Sequence, residues 1–374
     1  MSITPKTGTA ELIFPAFKRS SQRSHEPGIE TLPNNYRAGI DQPMVGYELP
    51  ASRREAIVKE FPESGPAWIA DYPGLLKTFV ERWELVLKES VTIGLPINMI
   101  YLAESVTGDP RVLKIGHPHP EQLTEIKTLR FYRGRSAVQI LDADETLGAL
   151  LLERLDPGTT LRQRANDISN DKNEIKSAIE LMQNLPVRYS EPDSAPGTRD
   201  ISQHIDLPTF DRWIKGGFSE FREKYPEETE FLDYLVAAEA AFAYLESGSP
   251  QRYVLHGDLH HENILLDTQR GWVAIDPKGV IGPKILECGR FLHNFLEDEL
   301  QGDSRVIDAH VDDLCELLLA RYQVFGEILG YGITDLARAA FIDATLGTCW
   351  TLNNGGSAEV GIQLVRATYK LVSD

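Results

Sequence analysis

The pattern of apolar and polar residues changes twice along the chain, near residue 50 and again near residue 156. Residues 1–50 are rich in Ser, Pro, Arg and Asn, which predicts an extension with little apolar surface to bury. Helical periodicity follows, with Pro73 near the predicted first turn. Its apolar face is formed by Leu75, Leu76, Phe79, Val80, Trp83, Val86 and Leu87. We therefore expect regular structure to begin with a helix that starts near Pro73.

Short apolar runs separated by turn residues follow this helix, as expected for an antiparallel sheet. The predicted strands are residues 98–102, 111–115, 137–141 and 147–152. Segment 107–110, Thr-Gly-Asp-Pro, separates the first two runs and predicts a hairpin turn. Between the second and third runs, Leu123, Ile126 and Leu129 mark the core face of a helix. The pattern predicts a small antiparallel sheet with one inserted helix.

Beyond Asp156-Pro157-Gly158 the chain consists mainly of long amphipathic stretches, which predicts helices. These stretches are residues 172–185, 207–224, 228–245, 285–296 and 308–329. Three short apolar runs interrupt them, at residues 253–255, 264–266 and 272–275. The expected fold class is α+β, with a small antiparallel-sheet N-lobe and a mainly helical C-lobe. We assign residues 1–50 to an extension, 51–152 to the N-lobe and 153–374 to the C-lobe.

The most polar motif of the chain, H-G-D-L-H-H-E-N at residues 256–263, lies between two apolar runs, which predicts a loop held by short strands. Asp258 precedes Asn263 by five residues, and Asp276 follows Asp258 by eighteen. This spacing is typical of kinases, in which one Asp orients the acceptor hydroxyl while an Asn and a second Asp hold magnesium. Oxygen ligands suit this hard cation. We predict Asp258 as the catalytic residue and Asn263 and Asp276 as metal ligands.

A metal hydrolase is a rival interpretation of the same motif, because imidazole and carboxylate groups can bind transition metals. Its candidate ligands are His256, Asp258, His260 and His261. This hypothesis leaves the amide and the second carboxylate of the pattern unexplained, and the chain lacks an H-E-x-x-H motif. For His260 and His261 taken singly, we favour a structural role in a buried polar loop.

Lys114 stands inside the apolar run Val112-Leu113-Lys114-Ile115, an unusual place for a cation unless its ammonium meets a strong anionic partner. In kinases that partner is phosphate. Glu125 follows on the predicted helix, where it can hold the lysine as an ion pair. A solvated helix face is the commoner explanation for a lone Glu. The pair gains weight because the three polar residues of the kinase pattern follow in the expected order.

The strand that ends the predicted sheet continues through Glu153 and Leu155 into Pro157-Gly158, which is typical of a linker between lobes. We expect the adenine of a nucleotide to dock on this backbone, with Glu153 and Leu155 as cofactor-binding residues. A loop covering the phosphates should precede residue 98. Segment 92–96 has one glycine and no G-x-G-x-x-G motif, although a backbone loop can hold phosphate without it.

The formal net charge of −18 argues against a nucleic-acid or anionic-membrane partner, and it suits a cationic substrate. An acidic balance that simply favours solubility is the better explanation of this charge. Three widely spaced cysteines suggest neither a disulfide framework nor a zinc site. No run of eighteen apolar residues occurs. We predict a cytoplasmic protein without a membrane span.

Five segments together resemble the aminoglycoside and hydroxyurea phosphotransferase family, which includes the streptomycin kinases. They are residues 112–116, 125–126, 147–155, 256–265 and 274–279. The pair H-G-D-L-H-H-E-N and I-D-P-K-G is specific, and the resemblance covers roughly residues 65 to 300. It implies a two-lobed protein-kinase-like fold that uses ATP and Mg²⁺. The residues that match the family's functional positions are Lys114, Glu125, Asp258, Asn263 and Asp276.

The resemblance implies ATP-dependent phosphorylation of a small-molecule hydroxyl, most simply that of a cationic aminoglycoside such as streptomycin, as a route to antibiotic resistance. Glu297, Asp298 and Glu299 are candidate contacts for the cationic sugar. Two features depart from the family: the long extension, and Lys284 at a position where related kinases often carry acidic residues. Hydroxyurea or another small metabolite is an alternative acceptor. A catalytically silent nucleotide-binding module is a further alternative, against which the intact set of polar residues argues.

Overall fold

The computed structural model of the protein describes residues 49–91, 97–165, 171–189, 205–294, 296 and 310–373. Most of the predicted extension, the segment expected to cover the phosphates at residues 92–96, and the three candidate acceptor contacts at residues 297–299 lie outside these residues. The described part begins with two helices, α1 (Ala51–Glu60) and α2 (Gly65–Arg82). Within the described residues, no helix is long and apolar enough to cross a membrane.

The prediction that the first helix begins near Pro73 is wrong, because α2 begins at Gly65 and Pro73 lies in its interior. Pro66 occupies the first turn, where a missing N–H costs nothing. The buried face of α2 includes Trp68 and Tyr72, which extend the predicted apolar stripe toward the N-terminus. The helix also ends earlier than predicted, since the chain reverses at Glu84, whose φ is 49°, and enters a strand.

A five-stranded antiparallel sheet follows, with α3 (Pro120–Tyr132) inserted between its third and fourth strands. Its strands are β1 (Leu85–Val91), β2 (Asn98–Ser105), β3 (Pro110–Gly116), β4 (Ile140–Asp144) and β5 (Ala149–Glu153). The order across the sheet is β1-β2-β3-β5-β4, which places β3 at the centre between β2 and β5. The predicted antiparallel sheet with an inserted helix is therefore confirmed.

The remainder of the chain is mainly helical and carries short strands around the polar loop. Its elements in chain order are β6 (Pro157–Thr160), α4 (Leu161–Ala165), α5 (Asp171–Asn184), β7 (Val187–Tyr189), α6 (Phe210–Lys224), α7 (Thr229–Gly248), β8 (Arg252–Leu255), β9 (Ile264–Asp267), β10 (Gly271–Ala274), β11 (Val280–Gly282), α8 (Gly289–His293), α9 (His310–Leu329), α10 (Ile333–Asn353) and α11 (Glu359–Ser373). The strands form two three-stranded sheets, β10-β9-β6 and β11-β8-β7. The architecture is that of the predicted α+β class.

Two buried hydrophobic clusters hold these elements together. The smaller cluster joins α2 to the five-stranded sheet through residues such as Leu76, Phe79 and Leu113. The larger cluster fills the helical part, and it also includes Ile126 and Leu129 of α3. Because α3 packs with the helical part while β3 packs with α2, the side chains of α3 and β3 meet between the two clusters. The domain boundary at residue 152 stays a prediction.

Candidate active site

The polar loop at residues 256–263 connects β8 to β9, and the buried carboxylate of Glu287 anchors its backbone. Glu287 accepts hydrogen bonds from the backbone N–H groups of His256 at 2.8 Å and Gly257 at 3.3 Å. Burial raises the pKa of Glu287 to about 7. Burial also lowers the pKa of His256 to about 4. The neutral imidazole donates from Nε2 to the carbonyl of Ile275 and accepts at Nδ1 from Asp258 N–H. These bonds fix the backbone on which Asp258 stands.

Asp258 carries its carboxylate between two cations. Arg290 Nε donates to Oδ1 at 3.2 Å, and Lys278 Nζ lies 3.8 Å from Oδ2. Burial opposes ionisation of Asp258, but the charges of Lys278 and Arg290 together outweigh it and hold the pKa well below its usual value. The group is therefore a charged hydrogen-bond acceptor throughout the physiological pH range.

Asn263 ends the loop that carries Asp258, and Asp276 lies beside this loop, as the spacing of the motif predicts. Asn263 Nδ2 donates to the backbone carbonyl of Asp258 at 3.0 Å. The backbone carbonyl of Asn263 accepts from the backbone N–H of Ile275 at 2.9 Å. The second bond brings the end of β10, and with it Asp276, to the same place. Asp276 has a left-handed backbone with a φ of 59° and a side chain that is 33% exposed. An amide and a carboxylate thus stand together, and their oxygens are of the type that Mg²⁺ prefers.

Lys114 on β3 connects this group to α3. Its ammonium donates to both carboxylate oxygens of Glu125 at 2.8 Å and also to Asp276 Oδ1. The ion pair expected between Lys114 and Glu125 is therefore present, and both side chains are at most 7% exposed. Burial alone would lower the pKa of Lys114, but the adjacent carboxylates of Asp276 and Glu125 raise it. Lys114 is a permanent cation next to the proposed metal ligand.

The position of α3 depends on its close approach to the segment after Asp276. Gly279 has a φ of 73°, and a Cβ there would lie 2.0 Å from Thr128 Oγ1 on α3. Any side chain at this position would push the helix away. Because Glu125 stands on the adjoining turn of α3, this contact helps to hold the carboxylate at the Lys114 ammonium.

Of the two residues predicted to bind adenine, Glu153 ends β5 and Leu155 follows it by two positions. Glu153 uses its side chain within the protein, because Oε1 accepts from Gln139 N–H at 2.7 Å and pairs with Arg270. Leu155 is buried, with 7% of its surface exposed. Binding of adenine to this backbone stays a prediction.

The histidines that follow Asp258 contact structural groups. His261 Nδ1 lies 2.8 Å from Asn294 Oδ1, and its ring stacks on Phe291 with centroids 4.1 Å apart. His260 Nδ1 accepts from the backbone N–H of Glu262 at 3.3 Å. In the ranges that the structure describes, no group of three or more His, Cys, Asp or Glu residues is placed to hold a metal ion.

An open cavity of about 570 Å³ lies next to the Asp258 loop. Trp213 and Trp350 line it with their rings edge to face, 5.4 Å between centroids, and Lys278 lies 5.0 Å above the ring of Trp350. A Cβ on Gly257 would lie 2.8 Å from Trp213, so the cavity wall touches the loop itself. The lining carries charges of both signs: Glu121, Asp206, Glu220, Lys127, Arg212 and Lys278.

Four residues that contact the loop or its cations were not predicted from the sequence: Glu287, Lys278, Arg290 and Asp343. A signal existed for two of them. Glu287 stands in the apolar run Ile285-Leu286-Glu287-Cys288, and Asp343 stands in the apolar centre of α10. The reasoning that identified Lys114, a charge inside an apolar run, applies to both. Lys278 lay within the family motif but received no role.

A buried strand lysine joined to a helix glutamate, with an Asp-x4-Asn loop and a second Asp beside it, is the arrangement expected of phosphotransferases of the kinase-like fold class. Solved structures agree on the fold. Choline kinase from Streptococcus pneumoniae superposes with a TM-score of 0.53 at 16% identity, over 81% of this chain and 99% of that chain. An aminoglycoside phosphotransferase, crystallised with ADP and hygromycin B, gives a TM-score of 0.51 at 12% identity, over 79% and 97% of the two chains.

The family follows from sequence similarity. The model of the aminoglycoside/hydroxyurea antibiotic resistance kinases matches residues 82–339, and the chain belongs to this family. Streptomycin 6-kinase of Streptomyces griseus is 29% identical over 85% of this chain and 95% of its own length. Hydroxyurea phosphotransferase of Kitasatospora aureofaciens is 27% identical over 63% and 65% of the two lengths. The predicted family and kinase-like fold are confirmed.

Proposed function

We propose that this kinase transfers the γ-phosphoryl group of ATP to a hydroxyl group of an aminoglycoside of the streptomycin type. The observation that supports the reaction best is the meeting of Asp258, Asn263 and Asp276, with the ammonium of Lys114 bound to Asp276. The two relatives named streptomycin 6-kinase support the acceptor, since this chain covers 95% and 93% of their lengths at 29% and 26% identity.

In this proposal Lys114 binds the phosphates of ATP, and Glu125 fixes the ammonium in place. Transfer of an ammonium from water to a buried position has a desolvation penalty, which only close anionic partners offset. The two carboxylates at Lys114 offset this penalty before the nucleotide arrives. The adenine lies against the backbone near Glu153 and Leu155. Each of these roles rests on position in the fold, and the phosphate contacts follow the general kinase arrangement.

The donor set of Asn263 and Asp276 fits Mg²⁺, because one amide oxygen and one partly exposed carboxylate leave further positions for phosphate oxygens and water. When bound, the metal neutralises charge on the phosphates. The protein's own contribution is to orient these ligands. The Asn263 amide is held through its Nδ2 by the Asp258 carbonyl, so its Oδ1 faces away from that bond.

Asp258 orients the acceptor hydroxyl and receives its proton. Its pKa is held low by Lys278 and Arg290, so Asp258 binds the hydroxyl through a hydrogen bond and leaves the proton on it in the ground state. The hydroxyl becomes far more acidic as its oxygen bonds to phosphorus, and the proton then moves to the carboxylate. A weak base suffices because phosphoryl transfer depends mainly on positioning and charge neutralisation.

The cavity beside Trp213 and Trp350 is the proposed acceptor site. Indole faces bind the apolar faces of sugar rings and attract cationic groups. The negative charge of two carboxylates in the cavity lining is partly neutralised within the protein, since Lys127 lies 3.2 Å from Asp206 and Lys224 lies 2.7 Å from Glu220. Aromatic contacts therefore contribute to recognition in addition to charge.

Release of ADP from Mg-ATP, measured with and without acceptor, tests this function. We expect streptomycin to stimulate ADP release strongly, and phosphorus NMR should show one phosphate monoester on the antibiotic. Hydroxyurea belongs in the same series, because one relative is a hydroxyurea phosphotransferase. The Asp258→Ala variant is the background control. Absence of stimulation by streptomycin at millimolar concentration, together with turnover of another acceptor, would reassign the substrate.

A further inference from the structure

Both cations that flank Asp258 rest on one face of helix α10. Arg290 Nη1 lies 3.8 Å from Asp343 Oδ2, and Lys278 Nζ lies 5.0 Å above the ring of Trp350. Between these contacts, a Cβ on Gly347 would lie 3.3 Å from Arg290 Nη1. Positions 343, 347 and 350 follow each other at i, i+4 and i+7, so they share one helix face. One surface of α10 therefore supports the surroundings of the catalytic loop.

Close packing fixes α8, which carries Arg290, against this face. A Cβ on Gly289 would lie 2.9 Å from the carbonyl oxygen of Ala339 and 3.0 Å from Asp343 Cβ. His293, at the end of α8, places Nε2 2.8 Å from Asp343 Oδ2 and is only 2% exposed. His293 thus holds the carboxylate of Asp343 in place. Asp343 therefore cannot follow Arg290 if the arginine moves.

The guanidinium of Arg290 has one end at each carboxylate, with Nε at Asp258 Oδ1 and Nη1 near Asp343 Oδ2. A planar guanidinium that contacts two fixed carboxylates has little rotational freedom. Asp258 must present an oxygen to the hydroxyl within a narrow range of angles. Loss of the contact at the Asp343 end removes one restraint on the guanidinium and widens the range of angles open to the Asp258 carboxylate.

We infer that Asp343 is a positioning residue for phosphoryl transfer, which acts through Arg290 to fix the orientation of the Asp258 carboxylate. The inference rests on the proposed role of Asp258. It assigns a role in the reaction to a residue of α10 that is 85 positions distant in the chain from Asp258. Asp343 itself contacts neither the nucleotide-binding lysine nor the proposed metal ligands, so its loss should affect turnover and spare nucleotide binding.

The Asp343→Asn substitution removes the charge and keeps the shape of the side chain. We expect turnover with a saturating acceptor to fall by about tenfold, as expected when a positioning contact is lost, while the KM for ATP changes less than about twofold. Asp335→Asn is the matched control. Asp335 lies on the same helix and pairs with Arg338 at 2.7 Å, and its replacement should leave turnover unchanged.

A double-mutant cycle separates positioning from a purely structural role. If Asp343 acts through Arg290, the double variant Arg290→Ala, Asp343→Asn turns over no more slowly than Arg290→Ala alone. A double variant whose loss of turnover equals the product of the two single losses would overturn the inference. Gly347→Ala provides a second route should Asp343→Asn fold poorly, because its Cβ displaces Arg290 without any change of charge and alanine favours the helix. It should also lower turnover, and wild-type turnover in this variant would count against the inference.

A readout without acceptor distinguishes failure of this inference from failure of the proposed function. The side-chain Nε–H of Arg290, labelled with ¹⁵N and assigned by its loss in Arg290→Lys, reports the bond to Asp258. In Asp343→Asn this resonance should shift and exchange faster with water, and in Asp335→Asn it should not. An unchanged resonance would overturn the inference even if a good acceptor is found. A shifted resonance in an enzyme that phosphorylates no tested acceptor would support the coupling and refute only the proposed function.

Discussion

Two groups of charges lie in the candidate active site, and their compositions are opposite. In the lysine cluster, formed by Lys114, Glu125 and Asp276, two carboxylates share one ammonium. In the aspartate cluster, formed by Asp258, Lys278 and Arg290, one carboxylate lies between two cations. At Lys114 the carboxylates therefore outnumber the cations, whereas at Asp258 the cations outnumber the carboxylates. Neither count is a net charge near neutral pH, because burial raises the pKa of Glu125 to about 8 and Asp343 balances Arg290.

The difference matches what each cluster has to accommodate in the proposed reaction. A carboxylate that stays ionised and is partly exposed, such as Asp276, suits a divalent cation. The two cations beside Asp258 suit the passage of an anionic phosphoryl group and keep the carboxylate ionised. The lysine cluster should therefore control nucleotide and metal binding, and the aspartate cluster should control turnover. Variants that separate these effects test the comparison.

The largest effect is expected in the aspartate cluster. The Asp258→Ala substitution removes the hydroxyl-orienting carboxylate and should lower turnover by roughly a hundredfold or more, while nucleotide affinity persists. Single-turnover kinetics and calorimetric titration with an ATP analogue measure the two quantities. Asp233→Ala, at an exposed position of α7, serves as the control. Equal losses of affinity and turnover in Asp258→Ala would remove the proposed division between the clusters.

The lysine cluster should respond in the opposite way. Lys114→Met leaves the buried carboxylate of Glu125 and the partly exposed carboxylate of Asp276 without their cation. This should lower the free energy of unfolding by about 3 kcal/mol and weaken ATP binding at least tenfold. Urea unfolding and nucleotide titration measure these changes. Lys88→Met is the matched control, because Lys88 lies on β1 of the same sheet and forms an exposed pair with Glu104. ATP affinity equal to that of wild type would contradict the assigned role of Lys114.

Asn263 links the two clusters. Its side-chain amide donates to the backbone carbonyl of Asp258, and in the proposal it binds the same Mg²⁺ as Asp276. Asn263→Ala should raise the Mg²⁺ concentration needed for half-maximal activity by roughly tenfold, as loss of one ligand usually does. A magnesium titration at saturating ATP measures the change. Asn184→Ala, which removes an exposed amide that also donates to a backbone carbonyl, should leave the titration unchanged. A loss of turnover that excess Mg²⁺ fails to restore would assign Asn263 to the loop alone.

The smallest effect concerns the anchor of the aspartate cluster. Burial raises the pKa of Glu287 from its usual value near 4.5 to about 7, so the folded state holds this proton more tightly than the unfolded state. The resulting stability is complete below about pH 4.5 and is lost as the pH rises through 7. Glu287→Gln does not titrate. Its free energy of unfolding relative to wild type should therefore rise between pH 5 and pH 8 by on the order of 1–3 kcal/mol.

Urea unfolding at several pH values measures this difference. Glu246→Gln provides the control, because Glu246 forms a partly exposed pair with Arg252 on the surface. Its stability curve should run parallel to that of wild type. Parallel curves for Glu287→Gln as well would show that the anchor is ionised in the folded protein at all pH values tested.

Much of the candidate site could be predicted because its residues occur in short motifs or in unusual surroundings. Asp258 and Asn263 share one loop, so their separation along the chain limits their separation in space. Lys114 was recognisable because a charge within an apolar strand requires a partner. The boundary of α2 could not be predicted in the same way. A proline is tolerated in the first turn of a helix and costs about 3 kcal/mol in its interior, so Pro73 indicated a helix start. Burial of Trp68 and Tyr72 outweighs this cost in α2.

By itself the sequence determined the antiparallel sheet with its inserted helix, the helical second part, and the residues Lys114, Glu125, Asp258, Asn263 and Asp276. Strand alternation, helical periodicity and motif spacing are local properties, so they can be found along the chain. Only the tertiary structure decided which cations flank Asp258 and which helix supports them. Arg290 and Asp343 come from separate helices, and their approach depends on close packing at Gly289, which no local pattern records.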